Sequence, residues 1–341
     1  MGKIEDTLAR ALPRLPGAAW LRETFPALEF DPSLARHLTA PCRELLDRGG
    51  KRWRPLLSLL VCEALGGGDA VLPLLPLVEF PHNASLIHDD IEDNSSLRRG
   101  KPAVHVLYGN DTAINSGSFL YFLPLSCVES WDGPAETKTR ILLLWGEYMR
   151  RLHLGQSMDI AWHRDFFSLP SIEDYLLMCR LKTGCLARFA ALLGAVCSGC
   201  PSPEAVMERY GAAAEKLGVG FQILDDVKNL SSGVPGKERG DDIVEGKKSL
   251  PVLLYLHGQG PGREDRAAFA ASCFKAASEK GPGAGEIVLF ITELERSGAL
   301  EAALQKGERL IGEAKAAFGE APDVRAFPAG DLLAGLAETL R

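Results

Sequence analysis

The sequence lacks several features that would assign it to common classes of protein. Basic residues are not in excess: 38 Lys and Arg stand against 45 Asp and Glu, for a net charge of −7. A nucleic acid is therefore not the expected partner, and basic residues that bind a ligand must form local clusters. No apolar run reaches the roughly 18 residues of a membrane-spanning helix. The alternating apolar and polar runs that are typical of strands are almost missing.

The N-terminal residues and the cysteines exclude further classes. The first ten residues, MGKIEDTLAR, lack the apolar segment of a signal peptide, and Asp6 stands where a myristoylation site needs Ser or Thr. The 8 cysteines are scattered along 341 residues, which is typical of reduced thiols. Cys197 and Cys200 form a C-x-x-C pair without a second pair, so we interpret them as ordinary thiols. The expected location is the cytoplasm.

Apolar residues recur at helical spacing along almost the whole chain. Leu56, Leu57, Leu60 and Val61 are one example, and hydrophobic residues make up 46% of the sequence. Gly and Pro clusters break the pattern into segments, but no repeat and no low-complexity linker separates two halves. We therefore predict an all-α fold, a single domain over residues 1–341 with ten or more helices and a ligand site at its centre.

The first acidic cluster lies in residues 86–93, which read LIHDDIED. On a helix, Asp89 and Asp93 are one turn apart on one face, with Asp90 beside them. The preceding residues are largely apolar, and partly buried carboxylates are costly unless a cation binds them. Oxygen ligands of this kind favour Mg²⁺. Taken alone, the cluster is equally compatible with a solvated acidic helix face.

A second cluster repeats this geometry. Asp225, Asp226 and Asn229 follow an apolar helical run in residues 221–229. Two such clusters on separate helices can face one another across a bundle and hold several Mg²⁺ ions. The pair is a much stronger indication of a metal site than either cluster alone.

Basic residues suited to diphosphate accompany both clusters. Arginine binds phosphate oxygens with two parallel hydrogen bonds, whereas lysine acts as a point charge. Each residue alone would be interpreted as an ordinary surface charge, but their placement around two acidic clusters favours phosphate binding. The groups are Lys51 and Arg54 in GGKRWRP (49–55), Arg98 and Arg99, Lys182 in KTG (182–184), and Lys237, Lys247 and Lys248.

These motifs together resemble those of the trans-prenyl diphosphate synthases, or polyprenyl synthetases. GGKRWRP, His82, both aspartate-rich motifs, LRRG (97–100), GQ-x-x-D (155–159), KTG and FQ-x-x-DD (221–226) occur in the family's order, over roughly residues 45–255. The resemblance implies an isoprenoid synthase-type helical bundle with a central active-site cavity, usually in a homodimer. It also implies condensation of isopentenyl diphosphate with an allylic diphosphate into a linear isoprenoid diphosphate.

The resemblance implies a role for each matching residue. Asp89, Asp93 and Asp225 would be ligands of Mg²⁺, of which about three ions bind per site, and with Lys182 and Lys247 they would form the catalytic set. Asp90, Gln156, Asp159, Asp226 and Asn229 would support the metal. Isopentenyl diphosphate would be bound by Lys51, Arg54, His82 and Arg99. The allylic substrate would be bound by Arg98, Lys182, Thr183, Gln222, Lys237 and Lys247. The side-chain oxygens of Thr183 and Gln222 would face the carbocation. For His88, beside Asp89, we expect no chemical role.

The predicted product is geranylgeranyl diphosphate. Ala84 and Ser85, five and four residues before Asp89, are small, whereas farnesyl-forming members typically have an aromatic residue there. The resemblance is closest to the eukaryotic-type geranylgeranyl synthases, whose cavity floor would correspond to Tyr121, Phe122 and His153 here. The aromatic pair could instead be ordinary core. Asn229, where many members have Asp, also occurs in that group and does not imply an inactive site.

Three alternatives remain open at this stage. A farnesyl or longer-chain synthase would differ only in product length. A terpene cyclase binds one substrate, and the residues expected to bind a second diphosphate argue against it. A non-catalytic subunit of a heteromeric synthase should have lost ligands from one acidic motif, whereas both are present here.

Overall fold

The computed structural model describes residues 1–200, 203–233, 239–258, 262–319 and 329–338. These residues are predominantly helical with almost no strand structure, so the predicted all-α fold is confirmed. A turn of 3-10 helix (Leu72–Leu74) precedes α5, and a π-helical turn (Arg180–Gly184) joins α10 to α11. The helices are α1 (Gly2–Ala11), α2 (Ala18–Thr24), α3 (Pro32–Asp47), α4 (Trp53–Ala64), α5 (Pro76–Glu92), α6 (Val104–Tyr108), α7 (Asn110–Phe122), α8 (Leu125–Ser130), α9 (Ala135–Arg164), α10 (Ile172–Cys179), α11 (Cys185–Cys197), α12 (Pro203–Ser231), α13 (Asp241–Val244), α14 (Leu250–Leu256), α15 (Arg263–Lys280), α16 (Gly285–Arg296), α17 (Ala299–Gly319) and α18 (Ala329–Glu338).

Within the described ranges, strand structure is confined to one small hairpin. Strand β1 (Leu97–Arg98) pairs antiparallel with β2 (Lys101–Pro102). The two turn residues, Arg99 and Gly100, both have positive φ, at 52° and 72°. Two successive left-handed residues make the tight turn that matches the twist of paired strands. The hairpin thus presents Arg98 and Arg99 directly after the first acidic cluster.

The chain divides into two compact units, formed from residues within 1–148, 186–211 and 318–336, and within 149–185, 212–317 and 337–341. In the first unit, α5 packs against α3, α4, α6 and α7. Its core includes the fully buried side chains of Ile4, Leu45, Leu57 and Phe80. This unit contains the first acidic cluster, GGKRWRP and LRRG.

The second unit has a separate hydrophobic core. Tyr175 on α10, Ile223 on α12, Leu253 on α14 and Phe274 and Phe290 on α15 and α16 are all buried in it. Helix α10 begins at a capping box in which Ser171 and Asp174 bond each other's backbone N–H. This unit contains GQ-x-x-D, KTG and the second acidic cluster. In the part of the chain that the structure describes, every helix is too short or too polar to span a bilayer.

Candidate active site

The first acidic cluster forms the C-terminal end of α5. The backbone N–H of Asp93, the residue that caps the helix, donates to the carbonyl of Asp89 at 2.8 Å. Asp89 and Asp93 are therefore one turn apart, as their spacing predicts. Asp90 is fully buried, and this burial raises its pKa even though Arg98 opposes the shift.

Arg98 pairs with this cluster in the structure. Its Nε lies 2.7 Å from Oδ1 of Asp90, and its Nη2 lies 3.5 Å from Oδ2 of Asp89. The pair with Asp90 offsets part of the cost of burying that carboxylate. The residue predicted to bind the allylic diphosphate is thus also the cation that holds two of the three aspartates.

The GGKRWRP segment is a loop that leads into α4. Lys51 is exposed, whereas Arg54 is buried with its guanidinium 4.4 Å from the ring centre of Trp53. Between them, Arg52 has left-handed backbone (φ 47°) and a buried side chain that pairs with Glu79 at 2.6 Å and Glu5 at 2.9 Å. Two carboxylates therefore neutralise Arg52, so it differs in role from its two basic neighbours.

His82 and Arg99 complete the basic group of the first unit. Burial, together with nearby arginines of which Arg54 and Arg99 act most strongly, holds the pKa of His82 well below its usual value. His82 is therefore neutral at pH 7 and can offer phosphate a hydrogen bond but no charge. Arg99 donates to the backbone carbonyl of Gly49, and at 3.3 Å to that of Leu45, so it contacts the loop before Lys51.

The second acidic cluster lies on α12. Asp225 is exposed, whereas Asp226 and Asn229 are buried. The Oδ1 atom of Asn229 accepts a hydrogen bond from the backbone N–H of Asp242 at 3.3 Å. Asn229 therefore holds the start of α13, and this structural contact uses the side-chain oxygen that the prediction gave to metal support.

Asp226 is held by a chain of hydrogen bonds. The hydroxyl of Tyr175 donates to Oδ2 of Asp226 at 2.7 Å, and Nε2 of Gln222 donates to Oδ1 at 2.9 Å. The Gln222 Oε1 in turn accepts from the hydroxyl of Thr183 at 2.7 Å. Burial and the nearby carboxylate of Asp242 raise the pKa of Asp226 to about 7, and a cation bound nearby would favour the ionised form.

Lys182 and Thr183 lie in the π-helical turn between α10 and α11. Such turns are frequent at functional sites because they alter which side chains share a helix face. The Nζ of Lys182 lies 2.6 Å from Oδ2 of Asp159 on α9. A Cβ atom at Gly155 would lie 2.5 Å from the backbone nitrogen of Lys182, so α9 needs glycine at this position to pack against the π-helical turn.

Lys247 and Lys248 follow α13 and have different surroundings. Lys247 pairs with Glu245 at 2.5 Å and lies 3.6 Å from Asp242. Lys248 is buried, donates to the carbonyl of Gly246 at 2.9 Å, and has its Nζ 4.3 Å from the ring centre of Phe274. Burial lowers the pKa of Lys248 to about 8. Lys237, a predicted ligand of the allylic diphosphate, lies outside the described residues.

Several of these groups line one small polar cavity of about 40 Å³ in the second unit. Three of its lining residues are lysines that can face phosphate, and two are aspartates that can face a cation. The lining consists of Asp159, Tyr175, Met178, Lys182, Gln222, Asp226, Lys247, Lys248 and Ser249. In the described ranges no three His, Cys, Asp or Glu side chains form a closed metal cage. The two aspartates of the cavity, Asp159 and Asp226, nevertheless suit Mg²⁺, because this ion binds through one or two carboxylates and completes its shell with water and substrate phosphates.

The residues predicted to control product length occupy different environments. Ala84 is buried on α5, and Ser85 is half-buried with its hydroxyl bonded to the carbonyl of His82 at 2.8 Å. Tyr121 is buried, with its ring 5.8 Å from that of His88. In contrast, Phe122 is 61% exposed and contacts Trp145 at 6.3 Å between ring centres.

His153, the third predicted floor residue, lies on α9. It is exposed, and its Nδ1 is 2.9 Å from the carbonyl of Met149. The predicted floor of the cavity therefore stays a prediction for all three residues. His88, for which no chemical role was expected, lies 3.2 Å from the carbonyl of Ile114, a contact that is structural.

Sequence reasoning missed two residues that organise the site. Tyr175 binds Asp226, and Arg48 binds the LRRG hairpin. A tyrosine in an otherwise apolar helix face must satisfy its hydroxyl, which is a signal for Tyr175. The sequence contains no comparable signal for Arg48, because it resembles an ordinary surface charge.

Comparison with known proteins places the chain in a family. The family model described as polyprenyl synthetase matches residues 35–280. The chain belongs to the polyprenyl synthetase family. Members of this family are prenyltransferases that make linear isoprenoid diphosphates, and they use Mg²⁺ with their diphosphate substrates.

Relatives of known name differ in their products. The chain is 37% identical over 225 residues to a geranylgeranyl pyrophosphate synthase of Eremothecium gossypii, covering 64% of this chain and 69% of that protein. It is 30% identical over 299 residues to an octaprenyl diphosphate synthase of Escherichia coli, covering 86% of each. This chain also superposes on the crystal structure of a geranylgeranyl pyrophosphate synthetase from Pyrococcus horikoshii with a TM-score of 0.81 and 28% identity. The superposition covers 99% of this chain and 94% of the other chain. The family is thus established, whereas identity alone does not distinguish product length.

Proposed function

We propose that this protein is a Mg²⁺-dependent synthase that condenses isopentenyl diphosphate with an allylic diphosphate to make geranylgeranyl diphosphate. The observation that carries the proposal is the presence of both aspartate-rich helix segments, each with its own basic side chains, in a chain of this family. A terpene cyclase would not need the basic group around Lys51, Arg54 and Arg99. A non-catalytic subunit would not need both acidic segments. We also propose that residues 1–341 act as a single catalytic domain, since the family match spans residues of both compact units.

The proposed roles follow the chemistry of each side chain. Asp89, Asp93 and Asp225 would bind Mg²⁺, about three ions per site as the family resemblance implies. Asp90, Gln156, Asp159, Asp226 and Asn229 would orient these ligands or their waters. Isopentenyl diphosphate would bind to Lys51, Arg54, His82 and Arg99, and the allylic diphosphate to Arg98, Lys182, Lys237 and Lys247.

The bound metal would supply Lewis acidity that stabilises diphosphate as it leaves the allylic carbon. Lys182 and Lys247 would add fixed positive charge at the same leaving group, which is electrostatic stabilisation of the transition state. The oxygens of Thr183 and Gln222 would face the allylic cation. The alkene of isopentenyl diphosphate would then attack this cation, and a proton would pass to the departed diphosphate.

Substitution of one aspartate in each cluster tests the metal assignment. We expect Asp89→Ala and Asp225→Ala to abolish turnover with helicity unchanged in circular dichroism, because each removes a carboxylate that the metal needs. Asp132→Ala is the matched control, since Asp132 is an exposed carboxylate between α8 and α9. Rates near wild type in either cluster variant would refute the assignment.

A product-length assay tests the geranylgeranyl proposal. Purified protein, Mg²⁺ and labelled isopentenyl diphosphate would be incubated with dimethylallyl, geranyl or farnesyl diphosphate. Small side chains at Ala84 and Ser85 support a twenty-carbon product, because neither would block a growing chain on α5. A fifteen-carbon or much longer product would retain the chemistry and refute the floor at Tyr121, Phe122 and His153. No condensation with any primer would favour the cyclase or subunit alternatives.

We further propose a homodimer, on the basis of an exposed apolar surface in the first unit. Val106, Leu107, Ile114, Phe122 and Leu143, on α6, α7 and the first half of α9, are each about half or more exposed. Exposed apolar side chains on neighbouring helices commonly mark a protein–protein contact, and α7 packs against α6 and contacts α9 through Phe122 and Trp145. An Ile114→Glu, Leu143→Glu double variant, which leaves the proposed floor residues unchanged, should change the mass in light scattering from two chains to one. We also infer a cytoplasmic location, which is supported by eight free thiols, six of them buried.

A further inference from the structure

Arg48 occupies an unusual position between two substrate-binding segments. It caps the C-terminal end of α3 and directly precedes the two glycines of GGKRWRP. Its side chain is only 2% exposed, which is rare for arginine unless every donor has a partner. The burial of the Arg48 side chain is local, because Asp47, directly before it, and Gly50, two positions after it, are both exposed.

All donors of Arg48 have acceptors within the protein. The guanidinium has five N–H groups, and the structure provides five acceptor contacts for them. The Nε and Nη2 atoms lie 3.3 Å and 3.1 Å from Oε1 of Glu44. Nη1 lies 2.9 Å from the carbonyl of Arg98 and 3.4 Å from that of Lys101, and Nη2 lies 2.8 Å from that of Pro102. Arg48 therefore has no donor left for a diphosphate, and Glu44 neutralises its charge.

The hairpin returns a comparable contact to the loop. Arg99, in the turn between β1 and β2, donates to the carbonyl of Gly49 and to that of Leu45 at 3.3 Å. Arg48 thus donates hydrogen bonds to backbone carbonyls of the hairpin, and Arg99 of the hairpin donates to backbone carbonyls on either side of Arg48. Because Arg99 has a left-handed backbone (φ 52°), the turn needs such external support to keep a non-glycine residue there.

We propose that Arg48 is a positioning residue that holds the LRRG hairpin and the GGKRWRP loop as one rigid binding surface for isopentenyl diphosphate. This inference rests on the proposed function, in which Lys51, Arg54 and Arg99 bind that substrate. Arg48 acts only through these residues. Its loss frees the hairpin, so Arg99 no longer stays at a fixed distance from Lys51.

The test measures KM for each substrate separately in Arg48→Ala and Arg48→Lys. In Arg48→Ala we expect KM for isopentenyl diphosphate to rise about tenfold or more, because misplaced binding groups lose much of their effect. KM for the allylic diphosphate and kcat should stay within about twofold, because Arg98 on the same hairpin remains paired with Asp89 and Asp90 when Arg48 is lost. Arg48→Lys can reach fewer carbonyls and should show a smaller rise. Arg43→Ala is the matched control, because Arg43 donates to the Leu12 carbonyl at 3.1 Å and to Asp47 but not to the hairpin.

The possible outcomes are distinguishable. Unchanged KM for isopentenyl diphosphate in Arg48→Ala overturns the inference. A rise in both KM values together with a fall in kcat also overturns it, because this result would indicate a general defect in folding. Calorimetric titration with isopentenyl diphosphate alone reads the same effect without turnover. A wild type that binds isopentenyl diphosphate but does not condense it refutes the proposed function, and weakened binding in Arg48→Ala would still support the positioning role. A wild type that does not bind it overturns both.

Discussion

Replacement of Tyr175 by Phe should weaken activation by Mg²⁺ while leaving the fold unchanged. The hydroxyl of Tyr175 lies 2.7 Å from Oδ2 of Asp226, and both residues are buried. A hydrogen bond to a charged group contributes about 1.5–3 kcal/mol, which corresponds to about 10- to 100-fold in an equilibrium constant. Asp226 would keep only its bond to Gln222, so its carboxylate would be less well oriented toward metal bound at Asp225. The aromatic ring would still fill the same space.

The assay is a Mg²⁺ titration of initial rate at saturating substrates. We expect the Mg²⁺ concentration for half-maximal activity to rise about tenfold or more in Tyr175→Phe, with partial recovery of kcat at high Mg²⁺. Tyr255→Phe is the control, because Tyr255 is also buried in the second unit but does not line the cavity. If both variants shift the titration equally, or if Tyr175→Phe leaves it unchanged, the proposed orientation of Asp226 is wrong.

Three further predictions concern individual residues. Burial raises the pKa of Asp226 from 3.8 to about 7. Between these two values the folded metal-free protein retains a proton that the unfolded chain has released, so its stability falls as pH rises from about 4 to about 7. Thermal unfolding in the presence of chelator should show a smaller fall in Asp226→Asn than in wild type, and equal falls would contradict this prediction. Burial lowers the pKa of Lys248 from 10.5 to about 8, a cost of about 3 kcal/mol at pH 7. Lys248→Met should therefore raise the unfolding temperature at pH 7, with a gain that shrinks between about pH 8 and 10; a variant less stable at pH 7 would refute the cost. Ser85→Phe should shorten the product to fifteen carbons in the product-length assay, whereas Ser85→Ala should not; an unchanged product would show that the growing chain does not pass Ser85.

The features that could be predicted from the sequence depend on local spacing. Helix periodicity alone places Asp89 and Asp93 one turn apart, and the hydrogen bond between their backbones has this spacing. The same four-residue spacing holds for Asp225 and Asn229 on α12. The all-α fold follows from apolar spacing that is repeated along the chain, because each helix needs one buried face.

The features that could not be predicted depend on residues far apart in the chain. Tyr175 and Asp226 are separated by 51 positions, and Arg48 and Pro102 by 54. Periodicity contains no information on which helix packs against which, so the partner of a buried polar group is unknown until the fold is known. The hydrogen bond that Asn229 accepts from the backbone N–H of Asp242 also depends on tertiary structure, because the chain after α12 must fold back to bring Asp242 beside Asn229.

The π-helical turn at Arg180–Gly184 also limits how the chain can change in length. It includes one residue more than an ordinary helical turn would need, and α11 continues from it with Cys185 and Phe189 facing inward. Deletion of Leu181 would remove this extra residue and let a regular helix form with Cys185 and Phe189 still facing inward, whereas deletion of one residue within α11 would rotate every later side chain by about 100°. The inward face of α11 would then carry different residues. The π-helical turn therefore accommodates one residue without changing the buried face of α11, and we expect the fold to accept a one-residue deletion there more readily than a deletion within α11.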